Sequence, residues 1–148
     1  MRRSKAEECE RWYQKFQGRN PRKDGSLPTK PVVPCMDLPE SQVLEDCLKW
    51  LRGRGCLADR KNTGAHQNNM GQWYRYGIKG AGDILVVYHG LHIEVECKAG
   101  RGGSWSMPQQ RRERHVTEHG GVYVIVHGIE ELGHLWASNV APRFRNHQ

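Results

Sequence analysis

The chain predicts an α/β domain in which a mixed β-sheet carries helices on its faces. Three observations carry that prediction. A helix-period apolar stripe runs over residues 39–53. Two period-two segments meet at His89-Gly90. A helical segment over 108–119 then feeds a wholly apolar strand at 122–126.

The N-terminal part reads differently from the rest. Residues 1–36 hold nine Lys/Arg against four Asp/Glu, so five of the seven net positive charges lie there. A basic arm is the electrostatic footprint of nucleic-acid binding, and equally that of a solubilising tail. Residues 4–17 predict a short helix with Trp12, Tyr13 and Phe16 on one side. Residues 18–39 contain five prolines and predict an extended linker. The expected division is a basic, proline-rich arm over residues 1–37 and one folded domain over 38–148.

Bulk properties narrow the class. A chain of 148 residues supports a single core. Its mean hydropathy is −0.81, and no run approaches the roughly 18 apolar residues of a membrane span. The charged start lacks the apolar stretch of a secretory leader, so a cytoplasmic setting, in a bacterial or phage-infected cell, is expected. Five cysteines with no Cys-x-x-Cys pair argue against both a disulfide framework and a zinc knuckle.

In the first predicted helix, Val43, Leu44, Cys47, Leu48 and Leu51 form the stripe, Pro39 suits the first turn, and Gly53 and Gly55 end it. Glu40 falls in line with that stripe, which asks for a reason. Either Asp37 is the N-cap and Glu40 closes a capping box, or Glu40 points over the sheet toward other acids. A short strand is expected over 56–61. Residues 62–82 are polar and glycine-rich and read as a long functional loop. Its Arg75, Lys79 and aromatic residues suit phosphates and bases, although Trp73 and Tyr76 weigh toward covering the core.

The hairpin is the most informative element. A two-residue turn at His89-Gly90 pairs Tyr88 with Leu91, Val86 with Ile93 and Ile84 with Val95, all apolar. The other face pairs Val87 with His92, Leu85 with Glu94 and Asp83 with Glu96. Opposed Cβ atoms lie about 4.5–5.5 Å apart, and like charges there destabilise a sheet. Two carboxylates at that spacing favour a hard cation with oxygen ligands. Lys98 projects from the same face. Glu94 reads as a partner for Arg or Lys, His92 as a surface residue, and His66 as the one histidine worth testing as a helper.

Residues 100–106 form a second glycine-rich loop without the Gly-Lys-Ser/Thr ending of a phosphate-binding P-loop. The helix over 108–119 bears Gln109, Gln110, Arg111, Arg112 and Arg114, and Gly120-Gly121 stop it. The strand at 122–126 is apolar on both faces, which predicts burial and a parallel neighbour. A short helix near 129–136 and a basic tail follow.

Asp83, then Glu96-Cys97-Lys98 at a strand end, resembles the signature of the PD-(D/E)XK nuclease superfamily. The surroundings sharpen the resemblance. Gly77-Ile78-Lys79-Gly80-Ala81-Gly82-Asp83 is similar to the GxxGxxD motif of its VRR-NUC family, the virus-type replication-repair nucleases. Ser106-Met107-Pro108-Gln109 with Gly120-Gly121 is similar to the family's S-x-x-Q…GG helix. Glu40-Ser41-Gln42 and Asn62-Thr63-Gly64-Ala65 are similar to its opening motifs. The similarity covers residues 38–128; Gly82 departs from the proline often found before the aspartate.

The resemblance implies a restriction-endonuclease-like PD-(D/E)XK core and a Mg²⁺- or Mn²⁺-dependent DNA endonuclease. Asp83 and Glu96 would bind the metal, with the Cys97 backbone carbonyl as a further ligand. Lys98 would orient the attacking water. Glu40 would complete the acidic cluster or hold a second ion through water, and Gln109 would position substrate or water, with Gln110 as its alternative. Arg75, Lys79, Arg101, Arg111 and Arg112 are the expected DNA contacts. A homodimer acting on branched DNA is expected, with neither membrane nor small-molecule cofactor. A sequence-specific restriction enzyme and a non-catalytic DNA-binding module on the same scaffold are the alternatives.

Overall fold

Two left-handed residues organise the centre of the molecule. His89 (φ 47°) and Gly90 (φ 80°) form the tight turn whose twist suits a two-residue hairpin. The turn joins β5 (Ile84–Tyr88) to β6 (Leu91–Cys97) in antiparallel register, with Ile84 opposite Val95 and Tyr88 opposite Leu91. That is the expected pairing. The computed structural model describes residues 21–62 and 64–147. The helix expected over 4–17, Cys9 and Thr63 lie outside the described residues.

In chain order the remaining elements are β1 (Leu27–Thr29), α1 (Glu40–Gly53), β2 (Leu57–Arg60), β3 (Gly64–Gln67), β4 (Trp73–Tyr76), β7 (Gly103–Trp105), α2 (Met107–Glu118), β8 (Val122–Val126) and α3 (Ile129–Asn139). A 3₁₀ segment, Ala141–His147, follows. The main sheet has the order β2-β5-β6-β8. Its first two pairings are antiparallel and β6–β8 is parallel. The architecture is therefore mixed α/β, with a mixed sheet flanked by helices. The parallel pair needs a crossover connection, which α2 supplies.

One face of the sheet packs on α1 and α3. Val43, Cys47 and Leu51 meet Ile84, Val86, Ile93, Val95, Val122, Val124, Leu132 and Trp136. Each fully buried Val or Leu contributes about 1.5–3 kcal/mol. The opposite face carries a smaller cluster of Trp105, Val116, Tyr123 and Ile125 beneath α2. Burial on both sides explains why β8 reads as an unbroken apolar run. Among the described residues no helix is long and apolar enough to cross a membrane.

Three expectations need correction. The segment read as a linker contributes β1, which pairs with β7 inside the glycine-rich stretch read as a loop. Ser26 and Thr29 are buried, so the packed unit reaches back beyond Asp37. The pairing partners lie about 75 residues apart in sequence, which no local pattern announces. The long polar stretch holds a second hairpin, β3–β4, separate from the main sheet. Finally, α1 begins at Glu40 with Pro39 as N-cap and no side-chain cap, so the Asp37 capping box does not form. Asp37 instead faces Arg101 at 3.4 Å.

Candidate functional site

Glu96 is the centre of the site. Alternation along β6 turns Glu94 and Glu96 away from the Ile93–Val95–Cys97 core face and under α2. Glu96 is only 4% exposed. Its Oε1 accepts from Gln109 Nε2 at 2.7 Å and from Lys98 Nζ at 3.2 Å. Its Oε2 is buried without a hydrogen-bond partner among the described residues. Burial, followed by the negative charge of Asp83, pushes the Glu96 carboxyl up to about 7; Lys98 and Lys61 pull the other way.

Asp83 arrives by a route slightly different from the expected one. The ladder ends at Ile84–Val95, and Asp83 sits on the bend just before β5. Its Oδ2 accepts the Cys97 backbone N–H at 2.8 Å, and its own carbonyl accepts from Lys61 N at 2.8 Å. The carboxylate is thus tied to the end of β6 without strict cross-strand opposition. Cys97 meets the site through its backbone, while its thiol lies in the core. The hydrogen bond with Cys47, then burial, raises that thiol well above the usual range.

Lys98 continues β6 and is 7% exposed. Its backbone N–H donates to Val126 O at 2.8 Å, and Nζ also donates to Gln109 Oε1 at 3.3 Å. Its alkyl stem runs so close to β7 that a Cβ on Gly103 would stand 3.0 Å from Lys98 Cδ. Gln109 has two roles. Ser106 and Gln109 form a capping box at the start of α2, in which Gln109 Oε1 accepts from Ser106 N at 3.0 Å. The amide nitrogen left over is the one that holds Glu96. Gln110 points elsewhere, donating to Gly25 O and Trp105 O at 3.0 Å each.

Not every expected residue joins. Glu40 is exposed at the first residue of α1. Among the described residues no three His, Cys, Asp or Glu side chains converge closely enough to hold a metal ion. The acidic site is a pair, Asp83 and Glu96, and Glu40 does not complete it. Arg112 is corrected as well. It is engaged within the protein, donating from Nη2 to Glu94 Oε2 at 2.6 Å and from Nε to both Glu94 oxygens at 3.1 Å. Glu94 is fully buried and also contacts His92 Nε2 at 2.6 Å. Its Oε1 further accepts Gly82 N at 3.0 Å. Burial alone would raise the Glu94 carboxyl, but Arg112, His92 and Gly82 outweigh it and leave it lowered. This fits the reading of Glu94 as a cation's partner.

The Gly82 departure has a physical reason. A Cβ there would stand 2.9 Å from Glu94 Cβ and from Val95 N, and a proline would lack the N–H that Glu94 uses. Arg75, Lys79, Arg101 and Arg111 are exposed, in keeping with a surface role. Lys61 was missed. It belongs to no motif, yet its charge reaches Glu96 and its Nζ donates to Ala81 O at 2.5 Å. A cavity of about 280 Å³ lined by His92, Arg112, His115, Val116, His119 and Gly121 lies toward the other end of α2 and contains neither acid of the pair.

The donor set fits a hard cation. The Asp83 charge raises the cost of ionising Glu96, one buried Glu96 oxygen lacks a partner among the described residues, and the Lys98 ammonium stands beside it. Comparison of the chain with protein-family models, curated proteins and solved structures returned no match.

Proposed function

We propose that the chain is a Mg²⁺- or Mn²⁺-dependent endodeoxyribonuclease with a PD-(D/E)XK-type site of the VRR-NUC kind, acting on branched DNA. The observation that carries the reading is Glu96. Its carboxylate is buried beside Asp83, with Oε2 unpartnered among the described residues and Oε1 held by Lys98 and Gln109. A purely structural acid would have every oxygen satisfied, as Glu94 has.

Asp83, through the oxygen that Cys97 N does not engage, Glu96 Oε2 and the Cys97 carbonyl would hold the ion. When bound, such an ion supplies Lewis-acid polarisation of a phosphate oxygen and a lowered pKa for water. The protein's own residues do the rest. Lys98 presents its ammonium to the attacking water and to the phosphate oxygen on which charge accumulates. Gln109 holds Lys98 and Glu96 in one arrangement from the rigid start of α2.

A labelled four-way junction, a flap and a linear duplex, each incubated with Mg²⁺, Mn²⁺ or EDTA, test this directly. Branched substrates should be cut with either metal and left intact in EDTA. Lys98→Ala should abolish cutting while binding the same DNA with near wild-type affinity. Wild-type protein that leaves all three substrates whole would end the nuclease reading.

A further inference from the structure

The β3–β4 ribbon takes no part in the site just described, yet it springs from it. Its two ends converge at Asp83, where Lys61 N donates to Asp83 O and Lys61 Nζ to Ala81 O. Tyr123 OH, donating to Gly80 O at 3.3 Å, fastens the returning strand to the sheet. Beyond this anchored base, among the described residues, the ribbon pairs only with itself.

Its surface is unusual for a solvated hairpin. Met70 is 83% exposed, Trp73 69% and Tyr74 51%, although large aromatics are normally well buried. Residues 60–82 contain Arg60, Lys61, Arg75 and Lys79 and no acidic residue. Trp73 and Arg75 share one face of the ribbon; Tyr74 lies on the other, braced edge-on by His66 at 5.2 Å.

Three of the four amide side chains around the turn, those of Gln67, Asn68 and Gln72, are engaged within it, while Asn69 is exposed at the tip. Asn68 Oδ1 accepts from Met70 N and Gln72 N, Asn68 Nδ2 donates to Gln72 Oε1, and Gln67 Nε2 donates to Gly71 O. Base-edge readout in a groove relies on such side chains. Asn69 aside, what the ribbon leaves outward is chiefly π-surface and positive charge, the combination that grips unstacked bases without sequence preference.

We propose that the β3–β4 ribbon is the branch-sensing element: Trp73 and Tyr74 stack on unpaired bases at a DNA branch point while Arg75 and Lys79 hold the flanking phosphates. This rests on the branched-DNA reading above and deepens it. Anchorage of the ribbon's base at Asp83 then sets the spacing between the gripped nucleotides and the acidic pair.

The test is binding in EDTA, where no cleavage intervenes. The probes are a fluorescein-labelled flap with 2-aminopurine at the unpaired branch position and a fully paired duplex of the same sequence. Wild type should prefer the flap and change the 2-aminopurine emission. Trp73→Ala/Tyr74→Ala should lose about thirty-fold or more in flap affinity along with that emission change, and keep its duplex affinity. Trp73→Phe, which retains a ring, should behave like wild type. An unchanged flap preference in the double variant overturns the proposal. So does an equal loss on duplex, a wild type that binds neither DNA, or a sedimentation profile in which the two aromatics instead hold a second copy of the chain.

Parallel digestion with Mn²⁺ separates the two claims. If the double variant keeps its flap preference and wild type cuts the flap, the ribbon proposal falls and the nuclease stands. If wild type cuts nothing but the variant loses its preference, the ribbon proposal stands and the nuclease falls.

Discussion

The Glu96 carboxyl is held well above the ordinary carboxylate range for a reason that can be measured. It is raised from an ordinary 4.5 to about 7, by burial first and Asp83 second. A group raised on folding contributes stability that is fully present below its unfolded pKa and is lost as pH rises through the folded one. The metal-free protein should therefore lose of order 3 kcal/mol between about pH 4.5 and 7 from this one residue. Melting curves in EDTA should show a steeper decline for wild type than for Glu96→Gln across that range; parallel profiles would mean the carboxyl is not strained. Asp83→Asn removes the second cause and should flatten the same slope. It should also weaken Mg²⁺ binding in titration calorimetry at pH 7.5, and an unchanged isotherm would take Asp83 out of the ligand set.

At the scale of elements, α2 is fastened to β6 by two polar links. Gln109 reaches Glu96 and Arg112 reaches Glu94. Arg112→Ala would leave Glu94 buried with only His92 and Gly82 N as partners. Breaking a buried pair costs about 3–5 kcal/mol, and the two remaining partners put the expected loss near the lower figure. Urea unfolding measures it. Unaltered stability combined with weakened DNA binding would return Arg112 to the DNA surface. The sequence made the hairpin legible because strict alternation and a two-residue turn admit one register. It made the α2–β8 crossover legible through the double-glycine stop and the all-apolar strand. Arg112 was misread because a positive charge in a sequence does not reveal whether its partner is a phosphate or a buried carboxylate. Glu40 was misread because α1 takes Pro39 and not Asp37 as its N-cap, a shift of two residues that moves Glu40 from the capping-box position to the exposed first residue. The β3–β4 ribbon was invisible because its strands are only four residues long and expose Trp73 on one face and Tyr74 on the other, so no alternation of buried and exposed positions arises.

Across the whole molecule, a buried network joins the beginning of the described chain to its last strand and helix. His127 Nδ1 donates to Glu131 Oε1 at 2.6 Å, and His127 Nε2 stands 2.9 Å from Thr29 Oγ1, which also accepts Gly103 N. Glu131 Oε2 accepts Val32 N at 2.7 Å. β1 is thereby locked against β7, the strand that lines the Lys98 stem. Thr29→Val keeps the shape but removes the hydroxyl, leaving polar groups buried without partners. A loss of about 1–3 kcal/mol in chemical denaturation is expected; a neutral result would show that β1 is held by its backbone ladder alone.

The turn at His89-Gly90 has a consequence for how this protein tolerates length change. One extra amino acid there would slide β6 by a single step and rotate each of its side chains to the reverse side. Glu94 and Glu96 would then be driven into hydrocarbon among Val43, Cys47 and Leu51, and the acidic pair would vanish. Insertions should be accepted at the tip of the ribbon, around residues 68–71, and rejected at 89–90.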